Sequence, residues 1–180
     1  MHLSRRAIIG VPLAVTLTSC AGTILTPSQI IADAGTLAKG LAGVLTEVAS
    51  ADANLLPADM LATLQNDLTL AEGAASALST NLPATSGASI AQTIDGYINA
   101  VLNTLAAPPI NGLIPAPFNM AIAAAALVVP EIEAFVNQYL PTASAVAPTT
   151  YAARLKLRDT APQVTTVAQA LAILKGYAGS

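Results

Sequence analysis

Four prolines that each follow an apolar residue divide most of the chain into segments of helix length. The pairs are Leu56-Pro57, Leu82-Pro83, Ile114-Pro115 and Leu140-Pro141. Proline is tolerated in the first turn of a helix and removes a hydrogen bond from its interior, so each interval suits one helix and its connection. Runs that alternate apolar and polar residues, as strands do, are scarce. The sequence therefore predicts an all-α fold, an antiparallel helical bundle of four long helices plus a shorter C-terminal helix.

Caps and apolar spacing predict where these helices begin and which face each one buries. Thr26-Pro27-Ser28-Gln29 is a capping box with proline at the first helical position, so the first helix begins there. A second helix is predicted over Ala58–Thr80, a third from Ser89, a fourth from near Pro117 and the last over Gln163–Tyr177. The first helix is predicted to face the core with its apolar positions at helical spacing, which are Ile30, Ala34, Leu37, Leu41, Val44 and Val48.

Three segments, 83–89, 106–117 and 141–150, are predicted to connect the helices without regular structure. The middle one contains four prolines and is expected to be a rigid, extended connection. Within the fourth helix, the uncharged apolar run 120–129 is predicted to be the most buried part of the bundle. Pro130 follows that run and predicts a kink or a break.

The first 19 residues have the three parts of a secretory signal peptide. Arg5 and Arg6 supply the positive start, residues 7–17 carry no charge, and small residues precede Cys20. As a helix, residues 7–17 would rise about 16 Å, whereas the hydrocarbon core of a bilayer is about 30 Å thick. The segment is therefore too short to span a membrane, and we expect it to be removed on export.

The end of this segment, Leu17-Thr18-Ser19-Cys20, resembles the lipobox of bacterial lipoproteins. The resemblance implies that Cys20 becomes the N-terminus of the mature chain and carries acyl chains on its sulfur and its amino group. Residues 20–25 would then tether a single helical domain, residues 26–180, to a membrane. Ala21, where an aspartate would signal retention, implies the outer membrane facing the periplasm if the source is a Gram-negative bacterium.

Residues 4–9 also resemble a twin-arginine export motif, which implies that Arg5 and Arg6 direct a folded protein across the membrane. Ile8 and Gly10 stand where that motif usually has phenylalanine and often has lysine. Two arginines are equally ordinary in signal peptides of the general export pathway. Both routes therefore stay open.

The predicted mature chain, residues 20–180, is acidic and poor in charge. It holds five lysines and arginines against ten carboxylates, a net charge of −5. Such a domain has little electrostatic attraction for DNA or RNA, so no nucleic-acid partner is expected. Alanine supplies 39 of the 180 residues. Either a compositional bias explains this, or a partner or membrane covers part of an alanine-rich surface.

The predicted mature chain lacks the residues that carry most catalytic and metal chemistry. His2, the only histidine, would leave with the signal peptide, and Cys20, the only cysteine, would be acylated. This excludes Ser-His-Asp and Cys-His catalysis and the usual zinc sites. No G-x-S-x-G motif and no phosphate-binding or dinucleotide-binding glycine motif occurs. We therefore expect no enzyme, no catalytic residue, no cofactor and no metal.

Carboxylates are the remaining candidates for chemistry. Glu131 and Glu133 are two positions apart, so on a helix they point to different sides. Asp95, beside Gly96, is predicted to lie on a polar face. Two carboxylates could still meet across helices, as they do in glycoside hydrolysis, but no feature of the sequence indicates it.

Arg154, Lys156 and Arg158 form the one cluster of positive charge in the predicted mature chain. These side chains could pack or pair against the acidic remainder of the domain. Alternatively, they could contact lipid headgroups near the anchor or an acidic partner.

These observations favour a non-catalytic envelope lipoprotein, attached to the membrane through its lipid and acting as a binding or scaffolding module. Its partner would be another envelope protein or a second copy of the chain. One alternative is a carrier that holds an apolar ligand between helices, because small residues on the inner faces could leave a cavity. Another is a small envelope factor from a phage or other mobile element.

Overall fold

The computed structural model describes residues 26–80, 86–139, 148–159 and 163–179, and within these ranges every regular element is a helix. The helices are α1 (Pro27–Ala51), α2 (Ala58–Thr80), α3 (Ser86–Ala106), α4 (Ile110–Leu113), α5 (Phe118–Tyr139), α6 (Pro148–Asp159) and α7 (Val167–Tyr177). The predicted all-α fold is confirmed. The predicted signal peptide, with Arg5, Arg6 and Cys20, lies outside the described residues, as does most of the predicted loop 141–150.

The start of α1 and the whole extent of α2 agree with the sequence prediction. The backbone N–H of Gln29 donates to the Thr26 hydroxyl at 3.4 Å, and Gln29 Oε1 accepts from the Thr26 N–H at 2.8 Å. This reciprocal pair satisfies two backbone N–H donors that a bare helix start would leave free. The predicted capping box is therefore confirmed, and α2 spans Ala58–Thr80 as expected.

The four long helices α1, α2, α3 and α5 pack in a closed circuit, in which each contacts the next and α5 returns to α1. The two shorter helices fill the outer grooves: α7 lies against α1 and α5, and α6 lies against α3 and α5. Lys39 Nζ of α1 lies 3.2 Å from Glu72 Oε1 of α2, and Ser28 and Ser79 line the same groove. The start of α1 thus faces the end of α2, so these two helices are antiparallel.

Helix α5 is the centre of the molecule, because α1, α3, α6 and α7 all pack against it. Its residues Ala121 to Ala126 are each no more than 1% exposed. A helix with neighbours on every side must be apolar all round, and small side chains let those neighbours approach closely. The predicted burial of the run 120–129 is confirmed for all of its members except Met120 and Leu127, which are half-buried.

Proline breaks less of the structure than the sequence predicts. Helix α5 continues through Pro130, where a kink or a break is predicted, so a break is excluded. Pro130 is exposed, while Val129 and Ile132 on either side of it are buried, and packing of both flanks holds the helix across the missing hydrogen bond. The connection 106–117, predicted to be extended, contains the single turn α4, which the burial of Ile110 fixes in place.

Two helix starts differ from prediction, and one helix is absent from it. Helix α3 begins at Ser86 rather than Ser89. The backbone N–H groups of the first turn have no partner within the helix in any case, so serine and glycine are tolerated there. Helix α7 begins at Val167 rather than Gln163, after a capping box between Thr166 and Gln169. Helix α6 was not predicted. Its twelve residues hold few apolar side chains, so the spacing of apolar residues does not mark it.

Gly40 is where α1 and α7 approach most closely among the described glycines. A Cβ atom built on Gly40 would lie 2.7 Å from the backbone oxygen of Leu174 and 2.8 Å from its Cβ. Backbone atoms of a packed helix cannot move aside as the end of a flexible side chain can. The close packing of α7 on α1 therefore requires glycine at this position.

We expect Gly40→Ala to lower the free energy of unfolding by about 1–3 kcal/mol, since overpacking outweighs the better helix propensity of alanine. Gly73→Ala on the exposed face of α2 is the matched control, because an added Cβ there meets no atom within 4 Å. That control should raise the free energy of unfolding by about 0.5–1 kcal/mol. Urea denaturation followed by circular dichroism measures both. Stabilisation by both substitutions would contradict the described contact.

Candidate functional site

Four polar side chains meet where α3, α5 and α6 come together. Asp95 and Asn99 lie one turn apart on α3, and the i, i+4 spacing places them on the same face. Glu133 comes from α5 and Arg154 from α6. We call these four residues the polar cluster.

Glu133 lies at the centre of the polar cluster. Asn99 Nδ2 donates to Asp95 Oδ1 at 2.9 Å and also lies 3.4 Å from Glu133 Oε1. Arg154 Nη1 is 2.5 Å from the same Glu133 oxygen. The amide group of Asn99 thus contacts both carboxylates, and the guanidinium of Arg154 connects α6 to Glu133.

The polar cluster is the place where charge is buried in the described part of the molecule. Glu133 is 7% exposed and Arg154 is 5% exposed, and no other charged residue described is buried. Removing a charge from water costs several kcal/mol, and the interior compensates for it only through a partner of opposite charge and further hydrogen bonds. Arg154 and Glu133 therefore depend on each other, and α6 is fixed to α5 at this point.

Two buried atoms of the polar cluster lack a hydrogen-bond partner among the described residues. They are Asn99 Oδ1 and Arg154 Nη1. Because Nη1 nevertheless lies within ion-pair distance of Glu133, that contact is a charge attraction rather than an aligned hydrogen bond. When both carboxyl groups are ionised, these two atoms of the polar cluster therefore make no hydrogen bond to the described residues.

Burial raises the pKa of Asp95 to about 6, and the neighbouring negative charge of Glu133 acts in the same direction. The positive charge of Arg154 and the hydrogen bond from Asn99 oppose these effects without cancelling them. The face of α3 on which Asp95 was predicted to lie is partly covered: Asp95 is half-buried, because α6, which was not predicted, packs on α3 and α5.

The two glutamates of α5 point to different sides, as their spacing predicts. Glu133 faces the polar cluster, whereas Glu131 is half-buried near Asp33 of α1. Burial, followed by the charge of Asp33, raises the pKa of Glu131. Burial also raises the pKa of Asp33, against the effect of Lys175. Asp95 of α3 and Glu133 of α5 share the amide of Asn99, so two carboxylates do meet across helices, which no feature of the sequence indicates.

The three cations that are clustered in the sequence, Arg154, Lys156 and Arg158, do not act together. Arg154 is buried on Glu133, which is the intramolecular pairing considered as one alternative. Lys156 and Arg158 are exposed on α6. Only these two of the three cations remain available for lipid headgroups or an acidic partner.

Two surface grooves flank the bundle. One of about 350 Å³ lies between α1 and α2, and its walls hold mainly small or hydroxyl-bearing residues beside Lys39 and Glu72. The other, of about 520 Å³, lies between the end of α3 and α6, and Lys156 is the charged residue on its described walls. Neither set of walls carries the paired carboxylates that hydrolytic chemistry would need.

Metal sites and membrane spans were sought in the part of the chain that the structure describes. There, no three histidine, cysteine, aspartate or glutamate residues come together as metal ligands would. None of the described helices combines the length and the apolar character that crossing a bilayer requires.

Comparison with known proteins gives no relative from which a role could be transferred. No protein-family model matches the chain. No curated protein and no solved structure matches it either.

We expect Arg154→Ala to lower the free energy of unfolding by about 3–5 kcal/mol, because it leaves two carboxyl groups next to each other without a buried cation. Lys156→Ala, two residues away on the exposed face of the same helix, is the matched control and should change it by about 0.5 kcal/mol or less. Chemical denaturation of the three proteins at neutral pH measures the difference. Equal effects of the two substitutions would show that the buried ion pair does not hold α6.

Proposed function

We propose that this protein is a lipid-anchored, non-catalytic binding or scaffolding module of the cell envelope. The observation that carries the proposal is the lipobox Leu17-Thr18-Ser19-Cys20, which ends six residues before the capping residue Thr26 of α1. Acyl chains on Cys20 would hold the bundle at the membrane, since each buried methylene contributes about 0.8 kcal/mol and two chains anchor stably. Residues 20–25 would be the connection between lipid and bundle.

The chemistry of the described residues supports binding rather than catalysis. The carboxylate pair of Asp95 and Glu133 is the arrangement closest to a catalytic one, and Glu133 and Arg154 neutralise each other beneath the surface. A general acid or base must reach the proton of a substrate within hydrogen-bond distance. Glu133, buried in this way against Arg154, offers a substrate little access.

The outer face of α6 is the surface that we propose for contact with a partner. It presents Leu155, Lys156, Arg158 and Asp159, which are all exposed. An apolar side chain between two cations suits an acidic protein surface or anionic headgroups at the membrane. The remainder of the predicted mature chain is acidic, so this face is the one where such a partner would meet attraction.

Close helix packing favours a scaffold over the alternative of an apolar-ligand carrier. Gly40, one of the small inner positions that could have left a cavity, is in contact with Leu174 of α7. At Gly35 a Cβ would already reach ordinary contact with Ala75 of α2. At both positions the small residue brings helices together.

We expect Cys20→Ser to abolish lipidation, because a hydroxyl does not replace the thiol in forming the thioether. The variant should accumulate at the mass of the unprocessed precursor and incorporate no radiolabelled palmitate. Ser19→Ala is the matched control: it keeps a small residue before Cys20 and should still be processed and labelled. Wild-type protein that takes up no palmitate, with processing insensitive to the signal-peptidase inhibitor globomycin, would overturn both the anchor and the localisation.

A photo-crosslinking amino acid in place of Leu155 tests the contact surface in intact cells. We expect one defined product of higher mass, which identifies a protein partner or a second copy of the chain. The same probe in place of Leu70, an exposed leucine on α2, is the control and should give no such product. Crosslinks of equal yield from both positions, or from neither, would contradict a specific partner on α6.

A further inference from the structure

The groove between the end of α3 and α6 has small, mostly apolar walls around a volume of about 520 Å³. The small apolar residues that line it are Ala106, Ala107 and Pro108 on one side and Ala152 and Ala153 on the other. Small side chains on the walls let the backbone of another chain approach closely, which long side chains would prevent. The shape of the groove therefore suits an extended segment of polypeptide.

The charge of the groove comes from Lys156. This lysine is the charged residue on the described walls, and it has no ion-pair partner among the described residues. Residues 96–130, which include the end of α3, all of α4 and the start of α5, contain no charged side chain. Asp159 of α6 is exposed, lies outside the described walls and forms no ion pair with Lys156. The groove is thus complementary to an anionic group.

The groove also holds hydrogen-bonding groups that match a peptide backbone. It lies at the carboxyl end of α3, where the last carbonyl groups of a helix have no partner within the helix. Pro108 and Pro109 follow and have no backbone N–H, so neither can donate to these carbonyl groups. Asn103, on the same wall, has a side-chain amide that both donates and accepts. A peptide has N–H and C=O groups for these partners, whereas a phosphate headgroup offers mainly acceptors.

The groove lies far along the bundle from the predicted lipid anchor. Helices α1 and α2 are antiparallel and only residues 81–85 separate α2 from α3, so α3 begins at the end of the bundle where α1 begins. The 21 residues of α3 place its far end about 30 Å from that end. Attraction between exposed charges is largely screened beyond about 8 Å at physiological ionic strength. This distance favours a protein partner over headgroups near the anchor.

We propose that the groove between the end of α3 and α6 binds an extended, acidic segment of a protein partner, with a carboxylate of that segment on Lys156. The inference rests on the binding role proposed above and names the chemistry of the partner. Main-chain groups of the segment would pair with the amide of Asn103 and with the last carbonyl groups of α3. Its other side chains would lie against the alanines of the walls.

Fluorescence anisotropy with the full chain, purified in detergent, tests the groove. The probe is a peptide of alternating alanine and glutamate that carries a neutral dye, and the same peptide with glutamine in place of glutamate is its control. We expect the acidic peptide to bind roughly five- to tenfold more tightly, because its carboxylate accepts a charge-assisted hydrogen bond from Lys156. Equal binding of the two peptides, or binding of neither, would overturn the proposal.

Two pairs of variants, all at exposed positions, assign the binding to the groove. Lys156→Gln should remove the preference for the acidic peptide, whereas Arg158→Gln removes the same charge outside the described walls and should retain it. Ala152→Phe should fill the groove and weaken the binding of both peptides roughly fivefold or more. Ala62→Phe on α2 is its control and should have no effect. Equal losses within either pair would contradict binding in the groove.

Glycerol phosphate, a soluble equivalent of an anionic headgroup, tests the other class of occupant. It should not displace the acidic peptide, and displacement that requires Lys156 would assign the groove to headgroups and overturn the proposal. The groove and the anchor fail separately. Palmitate on Cys20 without peptide binding would reject the groove and leave the anchored module, whereas peptide binding without palmitate would reject the anchor and leave the groove.

Discussion

The enclosure of α5 is the constraint on which the rest of this structure depends. Four helices pack around it, so its surface has to be apolar in every direction, and the side chains have to be small wherever a neighbour approaches. The run Ala121–Ala126 meets both requirements. Alanine contributes less apolar area per residue than leucine, and most of the large buried side chains therefore come from the surrounding helices, as with Leu41 and Leu102, while α5 itself contributes Ile122.

Glu133 is the exception that this central helix carries, and it determines the place of α6. A carboxylate at such a depth needs a cation, which neither α1 nor α3 supplies at that level. Arg154 supplies it from a helix that has little other reason to pack, since Leu157 is its one other buried side chain among those described. The position of α6, the most polar helix, is thus set by α5, the least polar one.

Features that depend on local geometry could be predicted from the sequence, whereas the contact between Glu133 and Arg154 could not. The capping box at Thr26 and the apolar spacing of α1 and α2 depend on local geometry, and they gave the boundaries of both helices correctly at every point tested. Helix α6 has no apolar stripe, and its burial rests on one charge pair between positions 21 residues apart in the chain. Neither Glu133 nor Arg154 shows locally that the other will face it, so the polar cluster could not be predicted. The partial burial of Asp95 could not be predicted for the same reason.

The polar cluster determines where α6 lies more than how firmly it is held. Apolar side chains of similar volume in place of Asp95, Glu133 and Arg154 would fix α6 at least as firmly, because burying an ion pair costs about as much as its attraction returns. The charge pair instead gives α6 one defined position along α5, because the guanidinium of Arg154 has to reach Glu133.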